Sequence, residues 1–318
     1  MSTSVGRRTL LSVAGIAAAI GVFIVVGLSS GHEALAAAVT PNWGLAALSL
    51  LVAASVQPFR ALAWSTTLRS PVGFRALYCS SSVGSLLDTL LPGRLGEASK
   101  AAVLRVANRD RWPGFSRAAG SLLCSHMLEA CAFTVVGAVG APLLPLPTWA
   151  RIGLAAGCGL SLAAIGVAAT LHRKLGDRLP RALDKFFAAA WAPPMVLAKA
   201  FAILLATWVV RLVAIMLMLH SVGIQASLGV TLVYMIVTGL ANAAPVLPGN
   251  AGVYQGAAIG ALAMTGVSGS HAVALSLVAP VYDTAGCAIA AAAGVALYGG
   301  RFVELARAAL LRPAPVPA

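Results

Sequence analysis

The sequence predicts an all-α integral membrane protein with six full spans and two Pro-Gly hairpins, laid out as an inverted-topology repeat. Three observations carry this. Of 318 residues, 59% are hydrophobic and only 10% charged, against roughly 45–50% and about 25% in soluble domains. A water-soluble core cannot absorb that much apolar surface. Six segments reach the roughly 20 apolar residues needed to cross a bilayer core of about 30 Å. Finally, Lys and Arg crowd into alternate connections between those segments.

The six spans are 10–30, 43–66, 118–141, 152–171, 199–220 and 271–298. The first begins with VGRRTLLSVAG, and LAAA at 35–38 follows it, a pattern similar to a twin-arginine or Sec signal. Its apolar run is longer than a signal needs, and the first half requires it to match the second, so a retained span is expected. Two further stretches, 75–106 and 228–267, each hold a short apolar helix, a Pro-Gly turn and a second short helix. They are re-entrant, or bring the total to eight helices if counted as crossings.

Charge placement sets the topology. Arg7 and Arg8 precede span one, Arg69 through Arg117 fall between spans two and three, Arg173 to Lys185 follow span four, and Arg301, Arg307 and Arg312 follow span six. The alternate connections hold only Arg151. The positive-inside rule then puts both termini in the cytoplasm of a multi-pass protein of the cell membrane. The same reasoning accounts for the formal net charge of +13 without a nucleic-acid partner. No linker-like stretch divides the chain, so 1–318 is expected to be one membrane domain, with a first half of about 1–145, an inverted second half of about 146–305 and a short cytoplasmic tail, 306–318. The stretch 172–185, alternating basic and apolar residues, suits an interfacial position on the inner leaflet.

The halves share more than order. LPGRLGE at 91–97 and LPGNAGV at 247–253 both fit L-P-G-x-x-G, one turn in each hairpin. Inverted repeats with broken helices place substrate sites near the bilayer midplane between halves. In the first hairpin, Asp88, Arg94, Glu97 and Lys100 surround Pro92-Gly93, and Gly96 permits close backbone approach. A helix starting near residue 93 offers free N–H groups and its positive dipole end beside Arg94, a site for an anion such as phosphate. Glu97 is expected to pair with Arg94 when no ligand is bound, or to line a polar path for a headgroup. A plain cytoplasmic turn with solvated charges is the bland alternative. The second hairpin pairs Pro248-Gly249 with neutral Asn242, Asn250, Gly252, Tyr254 and Gln255. These suit hydrogen bonding to sugar or glycerol oxygens, or serve only to satisfy backbone groups freed by Pro245 and Pro248.

Charges inside spans are costly unless paired or hydrated. Glu129, Arg211 and Asp283 are therefore candidates for function, with helix-locking ion pairs as the equal alternative. His126 reads either as a satisfied structural residue or as a proton relay. The five cysteines form no CxxC pair and all lie in apolar segments. They are expected to be packing residues, and neither a metal nor another cofactor is expected.

At these motifs the chain resembles the lysylphosphatidylglycerol synthase transmembrane (flippase-like) family, whose signature is an Asn followed by a P-G-R-x-G-E turn and a later P-G-G-x-G-x-x-E turn. Here Asp88 stands at the Asn, Pro92 to Glu97 form the first turn, and Pro248 to Gln255 form the second, with Asn250 at a Gly and Gln255 at the Glu. PFRALAW at 58–64 is similar to the family's Leu-Arg-Trp segment, and Ser125 to Glu129 stand where the family has an E-R-x-x-D-like run. The family tends to be acidic where Arg211 stands and basic where Asp283 stands. This exchange implies an Arg211–Asp283 ion pair joining spans five and six.

The resemblance implies a membrane domain that binds or moves an anionic phospholipid or a polyprenyl-phosphate-linked lipid between leaflets, with a separate lipid-modifying enzyme as a candidate partner. The sequence ends in RPAPVPA with no aminoacyl transferase segment after the last span, so no enzymatic activity is expected. Two rivals remain open: a lipid-modifying enzyme such as a polyprenyl-phosphate glycosyltransferase, and an ion-coupled anion transporter using Asp88, Glu97 or Glu129 for protons.

Overall fold

The computed structural model describes residues 41–90, 95–108, 111–140, 148–175, 180–243 and 252–299. The expected first span, 10–30, and both Pro-Gly turns, with Pro92, Gly93, Arg94, Pro248, Gly249 and Asn250, lie outside them. Among the described residues the regular elements are α-helices: α1 (Trp43–Ala54), α2 (Val56–Leu68), α3 (Phe74–Leu90), α4 (Leu95–Ala107), α5 (Phe115–Gly140), α6 (Thr148–Leu175), α7 (Arg181–Ala190), α8 (Pro194–Ser221), α9 (Leu228–Ala243), α10 (Val253–Ala263) and α11 (Gly269–Tyr298).

Five stretches are long and apolar enough to cross a membrane: Trp43–Leu68, Phe115–Gly140, Ala150–Lys174, Pro194–Ser221 and Gly269–Tyr298. They fall on the second to sixth expected spans. The first of them is divided between α1 and α2 at Ser55. Pro58 has no N–H to give the Ala54 carbonyl four residues back, and its ring crowds that carbonyl. Ser55 Oγ turns back to donate to Val52 O at 2.7 Å. The Asn42 side chain starts α1 by accepting from Leu45 N at 3.2 Å.

Large apolar side chains point outward, among them Met195 at 81% exposure, Val139 at 74% and Leu160 at 73%. Such helices are apolar all round, and lipid tails accept what water would not. Since lipid is as apolar as Leu, close packing rather than burial holds the helices together. Small residues provide it. Gly286 and Gly294, eight apart on one face of α11, approach Ala53 of α1 and Cys79 of α3.

Three apolar clusters form the interior of the described residues, the smallest of them Ala63, Cys124, Leu128 and Leu204 of α2, α5 and α8. Of the two larger, one gathers Trp64, Leu77, Val83 and Leu104 from α2, α3 and α4 with Ala291 of α11. The other gathers Leu219, Ile236, Leu262 and Leu275 from α8, α9, α10 and α11. The last helix thus packs against both short-helix pairs.

At one end of the bundle, Arg69 fastens α7. Its guanidinium donates to Ala188 O at 2.7 Å and Trp191 O at 2.9 Å, two carbonyls that the finished helix leaves open. Arg117 of α5 donates to Arg69 O at 2.6 Å. A Cβ on Gly120 would stand 2.2 Å from Phe186 O, so α7 lies directly on α5. The basic stretch 172–185 therefore leads from the end of α6 into a short helix docked on the bundle.

Candidate functional site

The first hairpin closes backbone to backbone. A Cβ on Gly96 of α4 would stand 2.2 Å from Asp88 N of α3. Gly84 faces Lys100, and Ser80 Oγ donates to Lys100 O, so α3 and α4 run antiparallel. Ser99 Oγ donates to Gly96 O at 2.6 Å. Glu97 occupies the first turn of α4, where the positive end of the helix dipole favours a carboxylate.

From Glu97 a chain of charges crosses three helices. Its Oε1 accepts from Lys100 Nζ at 2.6 Å, and its Oε2 lies 2.5 Å from His126 Nε2 of α5. His126 Nδ1 is 3.8 Å from Glu129 Oε2, and the other Glu129 oxygen pairs with Arg60 of α2. The spacings 97/100 and 126/129 each put two side chains on one helix face. Lys100 is only 5% exposed. A buried ammonium survives in apolar surroundings when a carboxylate and hydrogen bonds repay its lost hydration. The Glu97–Arg94 pairing expected from sequence falls partly outside the described residues, and the Glu97 carboxylate faces Lys100 and His126.

The second hairpin is neutral. Tyr234 of α9 and Tyr254 of α10 join their hydroxyls at 2.7 Å. Gln255 Oε1 accepts from Gly252 N at 2.6 Å, so it satisfies a backbone donor at the start of α10, the bland role open to it from sequence. Gly252 takes a left-handed φ of 83°. Tyr234 and Tyr254 are both buried, and replacing either with Phe orphans the other hydroxyl. Each single change is expected to cost about 1 kcal/mol and the double change little more, measured as unfolding midpoints.

Arg211 Nη2 of α8 lies 3.9 Å from Asp283 Oδ1 of α11, the pairing implied by the exchanged charges. The Arg211 guanidinium also sits 5.4 Å from the Trp208 ring centre. Trp208 Nε1 in turn donates to Glu129 O at 3.1 Å. One tryptophan therefore stands between the two intramembrane charge groups. Both hairpins also reach α5: His126 meets Glu97, while Phe133, seven residues on, meets Gly239 of α9. Seven residues are about 10 Å of helix.

Beside the second hairpin, an open groove of about 700 Å³ runs between α6, α9 and α10, lined by Gly153, Gly157, Leu240, Gly256, Ala257 and Gly260 among others, with no charged residue. Among the described residues no His, Cys, Asp and Glu grouping could hold a metal ion.

Arg60 is the member of the charge chain to which the sequence reading gave no role. It stands in PFRALAW inside the second span, and a lone Arg in an apolar span demands a partner. Lys100 was visible as a hairpin charge, but its burial was not. Trp208 and Tyr234 carry no sequence signal that separates them from packing aromatics.

Long apolar helices enclosing paired charges define an all-α multi-pass membrane protein. Within that class, the family model described as lysylphosphatidylglycerol synthase TM region matches residues 11–294. The chain belongs to that family. No curated protein and no solved structure matches it.

Proposed function

We propose that this chain binds an anionic phospholipid or a polyprenyl-phosphate-linked lipid and carries its headgroup between leaflets. The observation that supports it most is the charge chain Lys100–Glu97–His126–Glu129–Arg60, which runs from the start of α4 across α5 to α2. A phosphate group needs cations away from bulk water and is favoured at a helix N-terminus, and the first hairpin sets the buried Lys100 near the start of α4 inside an apolar bundle. Arg94 joins this reading through its sequence position alone. The uncharged groove beside the second hairpin suits the lipid's hydrocarbon chain, which stays in apolar surroundings throughout.

In this reading the two hairpins are counterparts in an inverted repeat of six spans, the first entering from the cytoplasmic side and the second from the opposite side. Both termini are cytoplasmic. The protein performs no covalent chemistry itself, and a separate enzyme modifies the lipid.

Leaflet exchange in reconstituted vesicles tests the proposal, with labelled phosphatidylglycerol, phosphatidylcholine and polyprenyl phosphate as probes. The chain is expected to accelerate at least one of the anionic lipids over phosphatidylcholine. Lys100→Met, which keeps the stem and removes the charge, is expected to reduce that acceleration about tenfold or more, the effect of losing one charge-assisted contact. Exchange of the anionic lipids no faster than in protein-free vesicles overturns the lipid reading. Uptake of soluble phosphate in the same vesicles replaces it with an anion transporter.

A further inference from the structure

We infer that His126 is a proton-binding site through which headgroup binding is coupled to proton uptake, so that the anion and a proton enter the membrane interior together. The inference rests on the lipid reading above and adds what moves with the lipid.

A single imidazole stands between two carboxylates on different elements, its Nε2 facing Glu97 Oε2 of α4 and its Nδ1 facing Glu129 Oε2 of α5. Neutral imidazole donates from one nitrogen and presents a lone pair at the other, whereas the imidazolium donates from both. The 2.5 Å contact with Glu97 is a hydrogen bond and the 3.8 Å to Glu129 an ion-pair distance, so only the protonated ring, with an N–H on each nitrogen and a positive charge, favours both carboxylates at once. Both carboxylates already have a fixed cation, Lys100 for Glu97 and Arg60 for Glu129. The added proton is thus not needed to neutralise them and remains available to balance a ligand. At 36% exposure, the His126 side chain is also the most accessible of the five.

Among the described residues the groups around it are few. Glu97 of α4 and Glu129 of α5 itself face it, and their cations, Lys100 of α4 and Arg60 of α2, stand behind them. The Cys287 thiol of α11 lies within electrostatic reach of Arg60 and Lys100. Asp88 is the remaining carboxylate of the hairpin, its backbone against Gly96. Arg211 lies beyond Trp208.

Changing the net charge of such a group is costly in a low dielectric. Binding a phosphodiester alone adds one negative charge. Binding it with a proton on His126 leaves the total unchanged: the imidazole lone pair takes a proton from the aqueous side where the lipid enters, and the N–H bond breaks when the headgroup leaves. Each lipid carried across thereby moves one proton with it.

The test is titration calorimetry of the purified full chain in detergent, with dihexanoyl phosphatidylglycerol as probe, near pH 7.5 in two buffers of different ionisation enthalpy. Wild type is expected to take up close to one proton per lipid bound, from the linkage between binding and protonation. His126→Gln is expected to bind more weakly and, at probe concentrations that saturate it, to take up no proton. Infrared difference spectra of wild type on lipid addition, which need no variant, are expected to show imidazole protonation and no new protonated-carboxyl band. Binding with equal heats in both buffers overturns the coupling and leaves the lipid reading intact. Uptake that persists in His126→Gln, or a new protonated-carboxyl band, also overturns it by placing the proton on a carboxylate. Absence of any lipid binding removes the lipid reading and the coupling with it.

Discussion

Glu129→Ala is expected to destabilise the protein by about 3–5 kcal/mol, the usual cost of removing one partner from a buried ion pair. Its carboxylate is Arg60's salt-bridge partner, and Arg60 Nε is buried without a hydrogen-bond partner among the described residues. Removing Glu129 would leave a guanidinium among apolar helices with its one paired nitrogen abandoned. His126 would lose the carboxylate facing Nδ1 at 3.8 Å. Arg60→Met should cost a similar amount, because it strands the carboxylate, whose side chain is 14% exposed. The double variant Arg60→Met/Glu129→Leu should recover most of the loss, since apolar replacements of similar volume need neither hydration nor a partner. Unfolding midpoints of the three variants in mild detergent check this. Equal losses for the double variant and the sum of the singles would mean that the pair contributes nothing as a pair. The double variant also separates stability from function: it should fold, yet exchange lipid poorly if the charge chain serves the headgroup.

The parts of the molecule that depend on composition over twenty residues were legible in the sequence. Long apolar runs gave 118–141 and 199–220 as spans, and the helices there are Phe115–Gly140 and Pro194–Ser221. The hairpin stretch 75–106 falls one residue short at each end of the helix pair Phe74–Leu90 with Leu95–Ala107, and 228–267 contains Leu228–Ala243 with Val253–Ala263. What needs three dimensions was not legible. The Glu97–Arg94 pair expected from sequence lies partly outside the described residues, and what the sequence did not show is the contact of Glu97 with His126 on another helix. Which helix faces which depends on small-residue contacts such as Gly294 on Cys79, and glycines in an apolar sequence do not announce their neighbours. The docking of α7 is a similar case. Arg69 reads as a topogenic charge, yet its guanidinium holds carbonyls more than a hundred residues away.

Gly96→Ala is expected to cost about 3 kcal/mol, at the upper end of overpacking, and to reduce lipid exchange beyond that loss. The added Cβ would lie 2.2 Å from Asp88 N and 2.4 Å from Asp88 Cα. These are backbone atoms, so no side chain can swing away, and α3 and α4 must part. The separation would carry Glu97, the next residue, away from its contact with His126. Gly252 holds the matching place in the second L-P-G-x-x-G turn, and its requirement differs. Nothing lies within 4 Å of a Cβ there, but φ is +83°, so Gly252→Ala should cost about 1–2 kcal/mol through backbone strain alone. Gly256 and Gly260, inside α10 with open space around them, should give the opposite sign, with Ala gaining about 0.5–1 kcal/mol by helix propensity. A measured loss at Gly96 no larger than that at Gly252 would mean that the first hairpin relaxes without penalty. The ordering Gly96, Gly252, then Gly256 shows why two turns of one motif behave differently: the charged hairpin needs its glycine for space, which positions Glu97, and the neutral hairpin needs its glycine for a bend.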